Sequence, residues 1–235
     1  MTRATRPKAR DLIAETWQSQ ANLSLFLILL VITVFVLPTL EIRRTHIGLY
    51  GNLVFPLVLL TGTAIAWGRR WLFTLAVSFA IPALIARWIA WVVSTPSGHA
   101  VSEFLSLLSV LTIVFVVLAQ VFRDGPINAV RVQGAVAAYL LLGVAYAYGY
   151  QIDVHFNPVA VGGTQGNATS MFDWIYFSFC TLSTVGYGDI VPASRFSRSL
   201  AIGEAITGQL YLAILIARLV ALQVSNRTSE RSHEH

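Results

Sequence analysis

Thr184-Val185-Gly186-Tyr187-Gly188-Asp189 is the stretch on which the reading of this chain turns. It is too polar and too rich in glycine for an ordinary apolar helix, yet residues 171–183 before it and 199–222 after it are largely apolar. Inside a bilayer every backbone group needs a partner, so non-helical backbone persists there only where protein buries it or where it lines a watery path. The stretch is therefore read as a loop between membrane elements.

Composition sets the frame around it. Of 235 residues, 56% are hydrophobic and only 11% charged, against roughly a quarter charged in an ordinary soluble domain. This is the composition of an integral membrane protein. The formal charge of +5 does not point to nucleic acid, because the arginines stand mostly at the ends of apolar runs rather than in one patch. Cys180 is the single cysteine; it has no partner for an internal disulfide, and its apolar surroundings suit a packed thiol rather than a redox or metal centre. One lysine among sixteen basic residues, with abundant Ala, Val and Leu, suggests a GC-rich bacterial genome and hence a bacterial inner membrane.

Apolar length then orders the chain. Residues 1–21 carry Arg3, Arg6, Lys8 and Arg10 with Leu12, Ile13 and Trp17 near helical spacing, which reads as a cytoplasmic or interfacial segment. Spans are expected at about 22–40, 52–67, 71–93 (interrupted by Pro82 and Arg87), 101–122, 131–150 and 198–222. Residues 171–183 are apolar too, but at ~1.5 Å per residue they cover about 20 Å of a core roughly 30 Å thick. They should dip in and return, with residues 184–189 as the return limb. The expected fold is thus an all-α integral membrane protein: six transmembrane helices, with a re-entrant pore helix and its loop between the fifth and sixth. With the N-terminus inside, the inner segments hold Arg3, Arg6, Lys8, Arg10, Arg69, Arg70, Arg123, Arg131, Arg227 and Arg231, and Arg218 lies close to that face. The outer ones hold Arg43, Arg44, Arg195 and Arg198, so both termini are expected in the cytoplasm.

Residues 181–189, Thr-Leu-Ser-Thr-Val-Gly-Tyr-Gly-Asp, resemble the selectivity-filter signature of potassium channels. The chemistry asks for such residues. Stripping water from a cation takes a ring of oxygens, and backbone carbonyls supply it if successive residues turn them toward one axis. That backbone alternates in handedness, which glycine accepts and L-residues with a Cβ resist. The resemblance implies K+ sites at the carbonyls of Thr184, Val185, Gly186 and Tyr187 with the Thr184 hydroxyl, the second glycine being Gly188, while Val185 and Tyr187 point away from the axis. Tyr187 would be held by a cuff of Trp174, Tyr176, Phe177 and Phe179. Ser170 with Asp173 three residues on has the form of a capping box at the start of the pore helix. One loop per chain, and a ring that needs four, imply a homotetramer in membrane lipid. The transported K+ is the only ligand implied, with no cofactor and no enzymatic reaction.

Around the filter, single residues take expected roles. Asp189 faces the outer mouth, and the position four before Thr184, where some family members pair a carboxylate with it, is Cys180. Gly208, twenty residues after Gly188, is a candidate hinge or a close-packing position. Gln209 with Leu212, Ile216 and Val220 would form the inner cavity wall. Glu204 is a candidate buried acid, where an ionised carboxylate is costly; a neutral carboxyl bonded to Ser178, Thr181 or Ser183 is expected, with filter gating as the alternative.

The resemblance covers residues from about 131 to 222, within a pore domain expected at 126–222. Residues 22–125 read as a four-helix transmembrane domain without voltage-sensor arginines: 102–122 contain none, and Arg87 is expected to pair with Glu103. A sensor supplies about three or four gating charges per subunit, so weak or no voltage dependence follows. Residues 223–235 read as a short cytoplasmic tail, too short for a folded ligand domain, so gating by such a domain would need a regulatory partner chain. His155, which could report external pH, and the Asn167-Ala168-Thr169 sequon are expected in a polar loop at 151–169. The expected function is potassium-selective passive conduction, the alternatives being a non-selective cation channel or a non-conducting membrane subunit that retains a filter.

Overall fold

The computed structural model describes residues 23–36, 56, 58–59, 61–63, 70–93, 96–122, 129–163 and 170–233. Its elements are an apolar helix α1 (Leu23–Val36) whose end, Ile32–Val36, is wound as a π-helix, then α2 (Arg70–Val93), α3 (Pro96–Val121) and α4 (Ala129–Phe156). After these come β1 (Val161–Gly163), α5 (Met171–Leu182), β2 (Ile190–Pro192) and α6 (Arg195–His233). Four helices among the described residues are long and apolar enough to cross a membrane: Trp71–Val93, Gly98–Val121, Val130–Phe156 and Arg195–Arg218. The chain is therefore a multi-pass membrane protein. The expected second span lies largely, and the 1–21 segment wholly, outside the described residues.

Neighbours in sequence pack on one another, α2 on α3, α3 on α4, α4 on α5 and α5 on α6, and α4 also meets α6. Over half of the α4 span is buried, against 17% of the α6 span, so α4 is the post around which the described elements gather. Its alanines explain this: Ala135, Ala137, Ala138, Ala145 and Ala147 are all buried. Lipid tails are as apolar as leucine, so helices associate through close van der Waals packing, which small residues permit. One continuous core joins Phe26 and Leu30 of α1, Ile113 and Val117 of α3, Leu141 and Tyr150 of α4, and Trp174 and Phe177 of α5.

Three expectations are corrected. The chain is not wholly α-helical, because β1 and β2 pair antiparallel with Gly162 opposite Val191. Segments of three residues carry no readable alternation, which is why sequence missed them. The pairing ties the chain leaving residues 184–189 to the end of α4, and Ala160 O accepts from Ala193 N at 2.8 Å and Ser194 N at 3.0 Å beside it. Pro82 does not interrupt its helix but lies inside α2; within a membrane protein, neighbouring groups re-satisfy the carbonyl that a proline frees. The sixth apolar helix does not stop at 222 but runs on as one helix to His233.

α5 starts where its sequence says. Ser170, extended at φ −107 and ψ 155, accepts from Asp173 N at 3.3 Å through its hydroxyl, while Asp173 Oδ2 accepts from Ser170 N at 3.0 Å. These bonds satisfy donors that the first turn of a helix leaves without partners. Ser170→Ala should therefore lower stability by about 1 kcal/mol, the usual value of an N-cap, read as a fall in the thermal midpoint of the detergent-solubilised protein. Ser194 does the same for α6, accepting from Ser197 N at 2.8 Å. Asp153 at the end of α4 accepts from both serine hydroxyls, that of Ser194 at 2.6 Å, and so joins α4 to the start of α6.

Candidate ion-conduction site

Residues 184–189 follow directly from the end of α5. Thr184 N donates to Thr181 O at 2.9 Å, and Val185 N and Gly186 N both donate to Cys180 O, at 2.9 and 3.2 Å. The last carbonyls of the helix thus take up the first amides of the loop. The carbonyls of Thr184, Val185, Gly186 and Tyr187 accept no hydrogen bond among the described residues. Backbone oxygens without a protein partner need another one.

Backbone torsions alternate along the same residues. Positive φ occurs at Thr184 (59°), Gly186 (58°) and Gly188 (77°), and at no other described residue. Val185 and Tyr187 between them keep the ordinary sign. This is the alternation of handedness that the sequence led us to expect of the glycines, with Thr184 added. A β-branched residue at positive φ is a genuine outlier, and such strain, of order 1–3 kcal/mol, clusters at functional positions. A Cβ built on Gly186 or Gly188 would meet nothing within 4 Å, so torsion rather than crowding accounts for glycine at both.

The aromatic cuff divides. Tyr176 stacks on Tyr187, with ring centroids 6.5 Å apart and planes 3° from parallel. Trp174 and Phe177 turn the other way, into the core, where Phe177 meets Tyr150 edge-on at 4.7 Å. Phe179 packs over Gly143, where a Cβ would lie 2.7 Å from its ring, and lies 6.2 Å from Phe35. Helical geometry is the reason: successive residues point about 100° apart, so four aromatics within six positions cannot share one face. Cys180 borders a cavity of about 300 Å3 with Val34, Phe172 and Ile175, the apolar setting expected of a packed thiol.

Asp189 has a partner that sequence did not supply. Tyr176 Oη donates to Asp189 Oδ2 at 2.8 Å, so a phenol one turn before Cys180 braces the carboxylate. The i+13 separation gave no signal for the pair. Tyr176→Phe should loosen the outer end of the loop and hasten the decay of a sustained macroscopic current. Asp189→Asn, whose amide oxygen still accepts from the phenol, should decay more nearly as the parent does.

α6 carries the remaining residues on two faces. Ser197, Glu204, Gly208 and Tyr211 are buried, spaced by seven, four and three as one helical face requires. Tyr211 anchors that face by donating to Ala135 O at 2.7 Å. Gly208 lies under the end of α5, where a Cβ would stand 2.1 Å from Leu182 O, so close packing by itself demands glycine here. On the other face, Leu212, Ile216 and Val220 are exposed in the single chain. Gln209, also on that face, donates through Nε2 to Thr184 Oγ1 at 3.2 Å, a contact that sequence reasoning missed. Near the far end, Arg218 donates to Phe122 O at 2.6 Å and its guanidinium lies 4.9 Å from the Phe122 ring. It caps the carbonyl end of α3, where a cation is favoured.

Glu204 is fully buried. Of its three expected partners only Ser178 reaches it, at Oε1; Thr181 and Ser183 bond back to Phe177 O and Phe179 O of their own helix. Tyr150 Oη donates to Glu204 Oε2 at 2.6 Å. Elsewhere, Arg87 bonds Tyr148, and Glu103, its expected partner, has a buried Oε2 that accepts no hydrogen bond among the described residues. His155 is not in the expected loop but in the last turn of α4, edge-on to Phe156 at 5.4 Å.

Comparison with known proteins covers this same region. The family model described as "Ion channel" matches residues 135–224. Over 57 residues the chain is 46% identical to "Two-pore potassium channel 4" of Arabidopsis thaliana, 24% of this chain and 20% of that one. It is 34% identical over 98 residues to "Two-pore potassium channel 1" of the same plant, 41% of this chain and 24% of that one. Over 84 residues it is 34% identical to "Protein LctB" of Bacillus caldotenax, 34% of this chain and 62% of that one. The chain thus spans a fifth to under two thirds of the length of these relatives. No solved structure matches. Residues 135–224 are thus similar to the ion-channel family and, within that region, to potassium channels.

Proposed function

We propose that this chain forms one quarter of a homotetrameric, potassium-selective pore, in which K+ passes down its gradient with no cofactor and no chemical step. The observation that carries the reading is the alternating positive φ at Thr184, Gly186 and Gly188 together with the unclaimed carbonyls of residues 184–187. One such limb offers a column of oxygens on one side, and four around an axis offer the successive rings that replace a hydration shell. The open face of α6 supports the same arrangement. Leu212, Ile216 and Val220 would line the inner cavity, and Gln209, bonded to Thr184 Oγ1, would sit at its ceiling. The 12 residues of α5, at ~1.5 Å each, reach only part of the way across a bilayer, which supports a re-entrant pore helix. Its carbonyl end carries the partial negative charge that favours a cation.

The bacterial inner membrane, with both termini in the cytoplasm, is the proposed location, and weak or absent voltage dependence is proposed for want of arginine repeats in α3. Proteoliposomes loaded with K+ test the conduction reading. They should release K+ on dilution into K+-free buffer while retaining Na+ loaded in parallel, and the protein in detergent should have the mass of four chains. Equal release of both ions, or a monomer that conducts, would contradict it.

A further inference from the structure

Glu204 is fully buried in α6, and ion conduction as proposed gives it no role. Its surroundings are a short row of oxygens: Tyr150 Oη, Glu204 Oε2 and Oε1, Ser178 Oγ and Gly143 O. The row holds three contacts, Tyr150 to Glu204 at 2.6 Å, Glu204 to Ser178, and Ser178 to Gly143 O at 2.7 Å. Each contact needs one hydrogen between its two oxygens. A tyrosine hydroxyl supplies one, a serine hydroxyl supplies one, and a backbone carbonyl only accepts.

We propose that Glu204 supplies the third hydrogen: it is held as the neutral carboxylic acid, donates to Ser178 Oγ, and the ordered chain Tyr150–Glu204–Ser178–Gly143 is the device that positions the pore helix. Tyr150 donates to Oε2, Glu204 donates from Oε1 to Ser178, and Ser178 donates to Gly143 O. With Glu204 ionised, two hydrogens would have to serve three contacts. The charge would also lie sealed at membrane depth, where it is costly without a partner. The titratable groups facing it are phenols of α4, Tyr150 in contact with Tyr139 and Tyr146 beyond. Tyr146 is engaged with Thr207 at 3.0 Å. From α5 only the Ser178 hydroxyl reaches it, and no basic side chain acts on it among the described residues.

The chain joins three elements, α4 at Gly143 and at Tyr150 two turns on, α5 at Ser178 and α6 at Glu204. Ser178 is six residues before Thr184. Glu204 is a positioning residue: it touches no ion and acts by fixing the height of α5, hence that of residues 184–188. This half of the inference rests on reading those residues as the ion filter.

Infrared difference spectra of the reconstituted protein, wild type minus Glu204→Gln, test the hydrogen directly. A carboxylic-acid C=O stretch lost in the variant is expected at neutral pH; carboxylate bands lost in its place would overturn the proposal. Function and folding test the positioning. Gln can donate to Ser178 and accept from Tyr150, so Glu204→Gln should keep the parental thermal midpoint and K+ over Na+ permeability. Glu204→Leu, of similar volume without either bond, should lower the permeability ratio about tenfold, the scale of leaving a buried polar partner unpaired, and should lower the midpoint. Equal behaviour of the Gln and Leu variants would overturn the positioning role. If the wild type carried no K+ current, the proposed function would fail while the spectra and midpoints still decided the hydrogen-bonded chain.

Discussion

Gly186→Ala should abolish selective potassium conduction while leaving the folded protein in the membrane. Gly186 has φ 58° and a Cβ there would meet nothing within 4 Å, so the substitution clashes with nothing outside its own backbone. Its penalty is torsional, about 1–2 kcal/mol for an L-residue held in the left-handed region, and repeated in each subunit of a tetramer it becomes several times that. The carbonyl alternation is the weakest point at which such strain can relax, since the carbonyls of residues 184–187 are tied to nothing else among the described residues. Relaxation flips a peptide and takes its oxygen out of one ring in each subunit. Elution as a single species of parental mass, with K+ flux lost or no longer distinguishing Na+, is the expected pair of results. A variant that conducts and selects as the parent does would show that this torsion is dispensable.

Gly208→Ala should act in the opposite way, on assembly before function. The added Cβ would stand 2.1 Å from Leu182 O and 3.1 Å from its carbonyl carbon, and these are backbone atoms that cannot rotate aside. Overpacking usually costs about 1–3 kcal/mol when side chains can shift, so a backbone clash at the junction of α5 and α6 should reach the upper end or beyond. Yield of folded protein and thermal midpoint should both fall. Gly203→Ala, one turn earlier, meets only Tyr146 Oη at 4.0 Å and should be nearly neutral, which makes it the matched control. If Gly208→Ala folded as stably as the parent but changed the open fraction of the pore, the glycine would be acting as a hinge and the packing explanation would be wrong.

What sequence made legible follows from how local each feature is. The cap of α5 was readable because Ser170 and Asp173 are three residues apart and act through their own backbone. The glycines of the filter were readable because handedness is a property of single residues. Partners brought together from distant positions were not: Tyr150 reaches Glu204 across 54 residues and Arg218 reaches Phe122 across 96. Tyr176 was assigned to the right surface, but its bond to Asp189 depends on how residues 184–189 fold back, and no spacing rule encodes that. The strands β1 and β2 fell below the length at which alternation can be seen. Four of the six expected spans are long apolar helices among the described residues, α4 and α6 running past the apolar windows that identified them, while the first is the shorter α1 and the second lies largely outside the described residues.

Selectivity for potassium is the central claim, and the reversal potential of the purified protein in a planar bilayer, with K+ on one side and Na+ on the other, tests it most directly. The account predicts a reversal far on the potassium side, set by Thr184 to Gly188 and moved toward zero by Gly186→Ala. A reversal near zero in the wild type, or one on the sodium side, would contradict it.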